Sequence, residues 1–170
     1  MKYGLACFPS KQIQDMANNY RKRYDTHYLW IPPHVTLKPP YELKEDQLEQ
    51  EMQRIQTISS KTPPFPLTIY KADTFYPKEN KIFFKIKPND ILLSLYEALN
   101  EQQNSKEKEE FTPHLTIGQD LTNDEHFDVV DQLKMKDIHH EEIIDQIQLL
   151  YQLEDKCWTV YETFHLGKEE

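Results

Sequence analysis

A chain of 170 residues, 38% hydrophobic and 29% charged, is long enough to bury one sizeable core, and this composition excludes a disordered or fibrous protein. A net charge of −9, from 29 acidic against 20 basic residues, excludes a broad basic face for long nucleic acid but leaves room for a small phosphorylated ligand in a local basic pocket. Three glycines are too few for a Gly-rich phosphate loop or a dinucleotide fingerprint, so any phosphate must be held largely by side chains.

The two cysteines, Cys7 and Cys157, lie far apart and argue against a disulfide framework or a Cys-rich zinc site. Both read as buried small apolar side chains. No apolar run approaches the roughly 20 residues that span a bilayer. The opening stretch to Pro9 is too short for a signal peptide. The expectation is a cytoplasmic protein with no membrane attachment, no metal and no cofactor, monomeric by default.

Lys2 to Phe8 reads as a strand closed by Pro9. Ser10 suits a helix N-cap, and Ile13, Met16, Ala17, Tyr20 and Tyr24 follow at helical spacing, which predicts an amphipathic helix over 11–24. A loop from Asp25 to Pro33 leads into a short strand, His34-Val35-Thr36-Leu37, stopped by Pro39-Pro40. Leu48, Met52, Ile55 and Ile58 mark a second helix with a solvated Glu/Gln face. Prolines 63, 64 and 66 separate it from a strand near Leu67 to Phe75. After a turn at 77–80, Lys81 to Lys87 alternates, with Ile82, Phe84 and Ile86 on one face.

Asn89 or Asp90 caps a third helix carrying Leu92, Leu95, Tyr96 and Leu99. A charged loop is expected at 102–110. Pro113 then precedes His114-Leu115-Thr116-Ile117, a second short strand, ended by Gly118. Thr122 with Glu125 forms a capping box for a fourth helix continued by Phe127, Val130 and Leu133. Two long strands, about 143–153 and 158–166, finish the chain.

Both halves therefore run strand, helix, short His-x-Thr strand, helix, strand, and the second adds one more strand. The two histidines stand 80 residues apart. This is the order left by an internal duplication. The expected fold class is α+β: one domain over 1–170 with pseudo-symmetric lobes, about 1–80 and 81–170. Each lobe would be a mostly antiparallel sheet with outer helices, and the two would flank a central cleft.

Along a strand, residues i and i+2 share a face. His34 and Thr36 project together, as do His114 and Thr116, while Val35, Leu37, Leu115 and Ile117 project the other way. One such strand is ordinary. Two, each preceded by proline and each in the same place in its half, form a constellation. In-line cleavage of a phosphodiester needs a base at the attacking oxygen and an acid at the leaving oxygen. Imidazoles with pKa values near 6.5 can share those roles near neutral pH. Threonine hydroxyls can donate to the non-bridging oxygens, where charge concentrates. No metal is required.

On these motifs the chain resembles the 2H phosphoesterase superfamily, defined by paired H-x-[S/T]-x motifs, and within it the bacterial YjcG-type branch. The resemblance rests on Ile31-Pro32-Pro33-His34-Val35-Thr36-Leu37, on Thr112 to Gln119 and on Leu149-Leu150-Tyr151-Gln152-Leu153. It implies a bilobal fold with a central cleft. His34 would be proton donor, His114 proton acceptor, and Thr36 and Thr116 would bind the phosphate. Relatives in this superfamily act on 2′,3′-cyclic or 1″,2″-cyclic phosphates or on 2′–5′ linkages. Some carry an arginine shortly after the second motif, where this chain has Gly118-Gln119-Asp120.

The remaining chemistry-bearing residues read more plainly. His126 is expected at the surface, His139-His140 in a solvated loop, His165 as structural, and His27 in the loop before the first motif. Lys38, Lys71 and Lys81 could serve a phosphate pocket, with surface placement as the default. Tyr3, Tyr70, Phe75, Tyr76, Phe83, Trp158 and Tyr161 could stack on a base, with the core as the default. Three functions follow: a metal-independent phosphoesterase on a nucleotide-like cyclic phosphate or short RNA end, an RNA-end-processing or ligase-like enzyme, and a non-catalytic module that binds a small phosphorylated metabolite.

Overall fold

The computed structural model describes residues 1–101 and 111–168, and the loop expected at 102–110 lies outside them. The elements in chain order are β1 (Lys2–Cys7), α1 (Lys11–Tyr24), β2 (Val35–Glu42), α2 (Leu48–Ser60), β3 (Phe65–Thr74), β4 (Lys81–Ile86), α3 (Asp90–Leu99), β5 (His114–Gln119), α4 (Asn123–Lys134), β6 (His140–Ile144), β7 (Gln146–Gln152) and β8 (Trp158–His165). A single 3₁₀ turn at Glu45–Gln47 leads into α2. No helix among the described residues is long and apolar enough to cross a membrane.

The fold is α+β. Two four-stranded antiparallel sheets run β2-β1-β7-β8 and β5-β4-β3-β6. The first strand and the histidine strand of each half pair with each other, β1 with β2 and β4 with β5. One later strand of each half crosses over: β3 of the first half pairs with β4, and β7 of the second half pairs with β1. The sheets therefore do not part at 80/81, because each takes strands from both halves. The helices cross as well, with α1 packed on β5 and α3 on β2. This exchange joins the apolar faces of both sheets into one core that includes Leu5, Val35, Leu37, Phe84, Leu115, Ile117 and Leu149.

Several expected boundaries move, each for a local reason. β2 runs through Pro39-Pro40 to Glu42. It lies at a sheet edge, where a missing N–H disrupts no ladder. β3 starts at Phe65 and contains Pro66, at an end where only β6 pairs with it. The long strand expected over 143–153 breaks at Asp145. Residues 140–144 pair with β3 while residues 146–152 pair with β1 and β8. The adjacent polar residues Asp145-Gln146 interrupt the alternation there. Ser10 occupies the N-cap position of α1 without a side-chain cap; its N–H donates instead to the Glu142 carboxylate. Asn89 and Thr122 do cap, accepting from the N–H groups of Leu92 and Glu125.

Candidate active site

β2 and β5 are the facing edge strands, and each alternates as its sequence dictates. Val35, Leu37, Leu115 and Ile117 are buried. His34, Thr36, His114 and Thr116 are half-buried and together line one cleft of about 360 Å³. Its floor is formed by the small residues Gly4 and Ala6 of β1.

The two histidines are held by the same device. His34 Nδ1 lies 2.9 Å from the Pro32 carbonyl oxygen, and His114 Nδ1 lies 2.7 Å from that of Thr112. A carbonyl can only accept, so each Nδ1 carries the proton and donates it. That leaves Nε2, on the far side of each ring, as the nitrogen open to the cleft. The carbonyl two residues before each histidine thus sets the tautomer.

Their surroundings differ. The His114 ring meets Phe75 and Phe83 edge to face, with centroids at 4.9 and 5.1 Å. Among the described residues His34 meets one ring in this way, Phe8, at 6.5 Å. Burial pushes the His34 imidazole down to about 4. Its hydrogen bond to Pro32 opposes the shift, the positive field of Arg21 and of His114 deepens it, and Asp25 offsets it in part. Burial also lowers His114, against its bond to Thr112, with Lys81 lowering it and Glu79 raising it. Both rings are therefore neutral at pH 7.

A buried ion pair anchors the loop that delivers His34. Arg21 is 2% exposed, and its Nε donates to Asp25 Oδ2 at 3.0 Å. Its other two nitrogens donate to Asn18 Oδ1 at 2.8 Å and to the Ile31 carbonyl at 2.5 Å. Asp25 Oδ1 accepts from the His27 N–H at 2.8 Å and from Gln119 Nε2 at 2.6 Å. Thr26 Oγ1 donates to Asp120 Oδ2 at 2.6 Å. The loop after α1 is thereby fastened to the end of β5. Gly118 allows the close approach, since a Cβ there would stand 3.3 Å from that of Tyr24. The segment after the second motif, Gly118-Gln119-Asp120, is occupied by this tie.

Sequence reasoning singled out neither Arg21 nor Asp25. The available signal was phase: Ile13, Ala17 and Arg21 form one i, i+4 stripe, and all three are buried. His126 is a correction. Expected at the surface, it is 0% exposed, with Nε2 2.7 Å from Thr74 Oγ1 and Nδ1 2.8 Å from Asn80 Oδ1. It shares its helical face with Val129, Val130 and Leu133, whereas Phe127 is 44% exposed.

Lys38 is also buried rather than superficial. A register shift in the β1–β2 pairing sets it opposite Leu5, and its ammonium sits 4.1 Å from the Tyr41 ring centroid, in the field of Glu51 and Arg54. Lys81 lines the cleft, 3.7 Å from the Glu79 carboxylate, while Lys71 is half exposed and lies 3.9 Å from Asp73. His27 reaches the cleft. Cys7 is buried as expected, but Cys157 is only half-buried, with its thiol 3.5 Å from the Leu29 carbonyl.

Two exchanged sheets that bring paired His-x-Thr strands to one cleft define the 2H class of fold. The chain belongs to the 2′-5′ RNA ligase superfamily, whose family model matches residues 8–156. It is 57% identical over the full length of both chains to "Putative phosphoesterase BH1439" of Halalkalibacterium halodurans. It is 50% identical to a Geobacillus kaustophilus protein of the same description, over 100% of this chain and 99% of that one. The fold also matches solved structures of low identity. Apo LigT of E. coli gives a TM-score of 0.71 at 15% identity, covering 98% of each chain. TT0787 of Thermus thermophilus gives 0.70 at 18%, covering all of both.

Proposed function

We propose that the protein is a metal-independent phosphoesterase that hydrolyses a phosphodiester, the cyclic phosphate of a nucleotide or of an RNA end, by two-histidine general acid/base catalysis. The observation that carries this reading is the matched pair of imidazoles, each with Nδ1 bound to a carbonyl and each lining the same cleft. The phosphoesterase description of the full-length relatives supports it. So does the LigT structure in complex with 3′-AMP, as a case of this fold holding a nucleotide.

In this mechanism a water oxygen attacks phosphorus and the bond to the ribose oxygen opposite it breaks. His114 Nε2 takes the proton from the water. His34, charged on Nε2, gives its proton to the leaving oxygen. The hydroxyls of Thr36 and Thr116 donate to the non-bridging oxygens as their charge grows. The anionic substrate itself favours a proton on one imidazole, because a negative group nearby stabilises the charged ring. Each turnover leaves the proton on the other histidine, and exchange with water restores the starting state.

The test is hydrolysis of 2′,3′-cyclic AMP in excess EDTA. The expected result is turnover that persists in chelator and falls steeply in both His34→Ala and His114→Ala. Turnover that disappears in EDTA and returns with a divalent metal would refute the metal-free scheme. Turnover that survives both substitutions would place the chemistry elsewhere.

A further inference from the structure

Any phosphate in the cleft meets a chain of net charge −9, so the cations within its reach decide what can bind. Among the described residues, Lys2, Arg21, Lys38 and Lys81 contribute to the cleft wall. Three of them are committed or out of reach. Arg21 is buried against Asp25, with its other nitrogens on Asn18 and the Ile31 carbonyl. Lys38 is turned to the opposite face of β2 and lies over the Tyr41 ring. Lys2 stands four residues along β1 from Ala6, the partner of Thr36, a separation of about 13 Å.

Lys81 is the remaining cation. It opens β4 and shares a face with Phe83, which pairs with Thr116 and packs against His114. Its partner across the ladder is Gln119, whose amide nitrogen donates to Asp25. The Lys81 backbone is fixed: its carbonyl accepts from the Phe75 N–H at 3.1 Å, and Phe75 packs on the same histidine. Its ammonium is less firmly held. It lies 3.7 Å from the Glu79 carboxylate, longer than a hydrogen bond, and both side chains are partly exposed. A pair of this kind is weak and can open for a better partner. Both charges lie close to the second motif, since Lys81 lowers the hold of His114 on a proton and Glu79 raises it. The cation thus favours the neutral imidazole that a base must be.

We propose that Lys81 is a further catalytic residue, which leaves Glu79 to meet the phosphate of the substrate, and that Glu79 acts as a charge filter, so that the cleft takes a singly charged phosphodiester in preference to a doubly charged phosphomonoester. Lys81 offsets one negative charge on the ligand. A second charge meets the Glu79 carboxylate with no cation left to balance it. Hydrolysis of a diester creates that second charge, so the same filter favours release of the product. This rests on the reading of the histidines as the phosphate end of the cleft.

The experiment uses the full chain at pH 7.5, where 3′-AMP is mostly doubly charged and 2′,3′-cyclic AMP carries one charge. Turnover of the cyclic nucleotide gives kcat and KM, and calorimetry gives the affinity for 3′-AMP. Lys81→Met should lower kcat/KM by about 10- to 100-fold and weaken 3′-AMP, with Tm unchanged because the side chain is partly exposed. Lys81→Arg, which keeps the charge, should regain most of the loss. Glu79→Gln should tighten 3′-AMP several-fold, seen also as stronger product inhibition, with a smaller effect on kcat/KM for the diester. An unchanged kcat/KM in Lys81→Met, or a Lys81→Arg variant as poor as Lys81→Met, overturns the role of Lys81. Unchanged 3′-AMP binding in Glu79→Gln overturns the filter. Failure of the histidine reading looks different: turnover would survive His34→Ala and His114→Ala, while 3′-AMP binding in Lys81→Met would still decide whether Lys81 meets phosphate.

Discussion

β2 and β5 carry the same four-residue pattern at the edges of their sheets, and each pins its histidine to the carbonyl two residues back. What surrounds them is not the same. His114 packs edge to face against two phenylalanine rings, Phe75 and Phe83, which also pack on each other. His34 hangs from a loop anchored by a buried ion pair, and that pair places a guanidinium near it. The two matching motifs supply two equivalent imidazoles. The differences around them decide which is held by packing and which by electrostatics. A symmetric pair could exchange the roles of acid and base freely. This pair is biased: the cation near His34 lowers that ring's hold on a proton, so in the proposed role of acid His34 depends on the bound phosphate to charge it.

Removing either ring should break the comparison most severely. His34→Ala and His114→Ala are each expected to lower kcat on 2′,3′-cyclic AMP by about 10²- to 10⁴-fold. The double variant should be little worse than the poorer single one, because the two groups act on one transition state. Independent, multiplicative losses would mean that the histidines serve separate steps.

The ion pair can be broken on its own. Arg21 and Asp25 are each 2% exposed at the side chain, so Arg21→Gln leaves a carboxylate buried with its charge unmatched. Its contacts with Gln119 and the His27 N–H remain. A loss of roughly 3 kcal/mol is expected, which for a chain of this size lowers Tm by about 10 °C. The loop holding His34 should loosen while the packing of Phe75 and Phe83 against His114 stays. Thermal unfolding of Arg21→Gln beside Phe75→Ala would check this. An unchanged Tm in Arg21→Gln would show that the pair does not anchor the loop.

The threonines test the symmetry more finely. Thr36 and Thr116 occupy matching positions, so Thr36→Val and Thr116→Val should each cost on the order of 10²-fold in kcat with modest change in KM. A loss confined to one of them would mean that only one lobe holds the developing charge.

The motifs were legible because strand alternation is strict: His34, Thr36, His114 and Thr116 fall on one face and their neighbours on the other. Helix α1 was legible to its ends, because apolar residues recur at fixed spacing between Pro9 and Asp25. The exchange of β3 and β7 between the sheets was not. It depends on pairing between residues far apart in sequence, and either partner would have suited the same alternation. Pro39 and Pro40 misled because the edge position of β2 is a property of the whole sheet. Lys38 misled because a one-residue register shift turns a side chain to the opposite face. Arg21, His126 and Trp30 were hidden for another reason. Their types are usually exposed or structural, and only the assembled cleft and core give them neighbours.

The pH dependence offers the smallest and most discriminating contrast. In the proposed mechanism the active form of the free protein has one imidazole charged and one neutral. Burial lowers both, His34 to about 4, so at pH 7 both rings are neutral and the singly charged form grows as the pH falls. The profile of kcat/KM, which reports the free enzyme, should be bell-shaped with its maximum below about pH 6.5. The profile of kcat should peak at higher pH, because the bound phosphate draws a proton onto one ring. The same shifts bear on stability. A histidine lowered on folding binds fewer protons folded than unfolded between its two pKa values, so stability is complete above about pH 6.5 and falls as the pH drops toward 4. Inorganic phosphate at pH 5 should restore part of the lost Tm in the unaltered protein but little of it in His34→Asn. Arg21→Gln removes the nearby cation and should move the kcat/KM maximum upward by a fraction of a unit, whereas Phe83→Leu, on the other lobe, should leave the contribution of His34 where it was. A kcat/KM maximum at or above pH 8, or one that Arg21→Gln does not move, would mean that the guanidinium sets the geometry of the loop without biasing the proton.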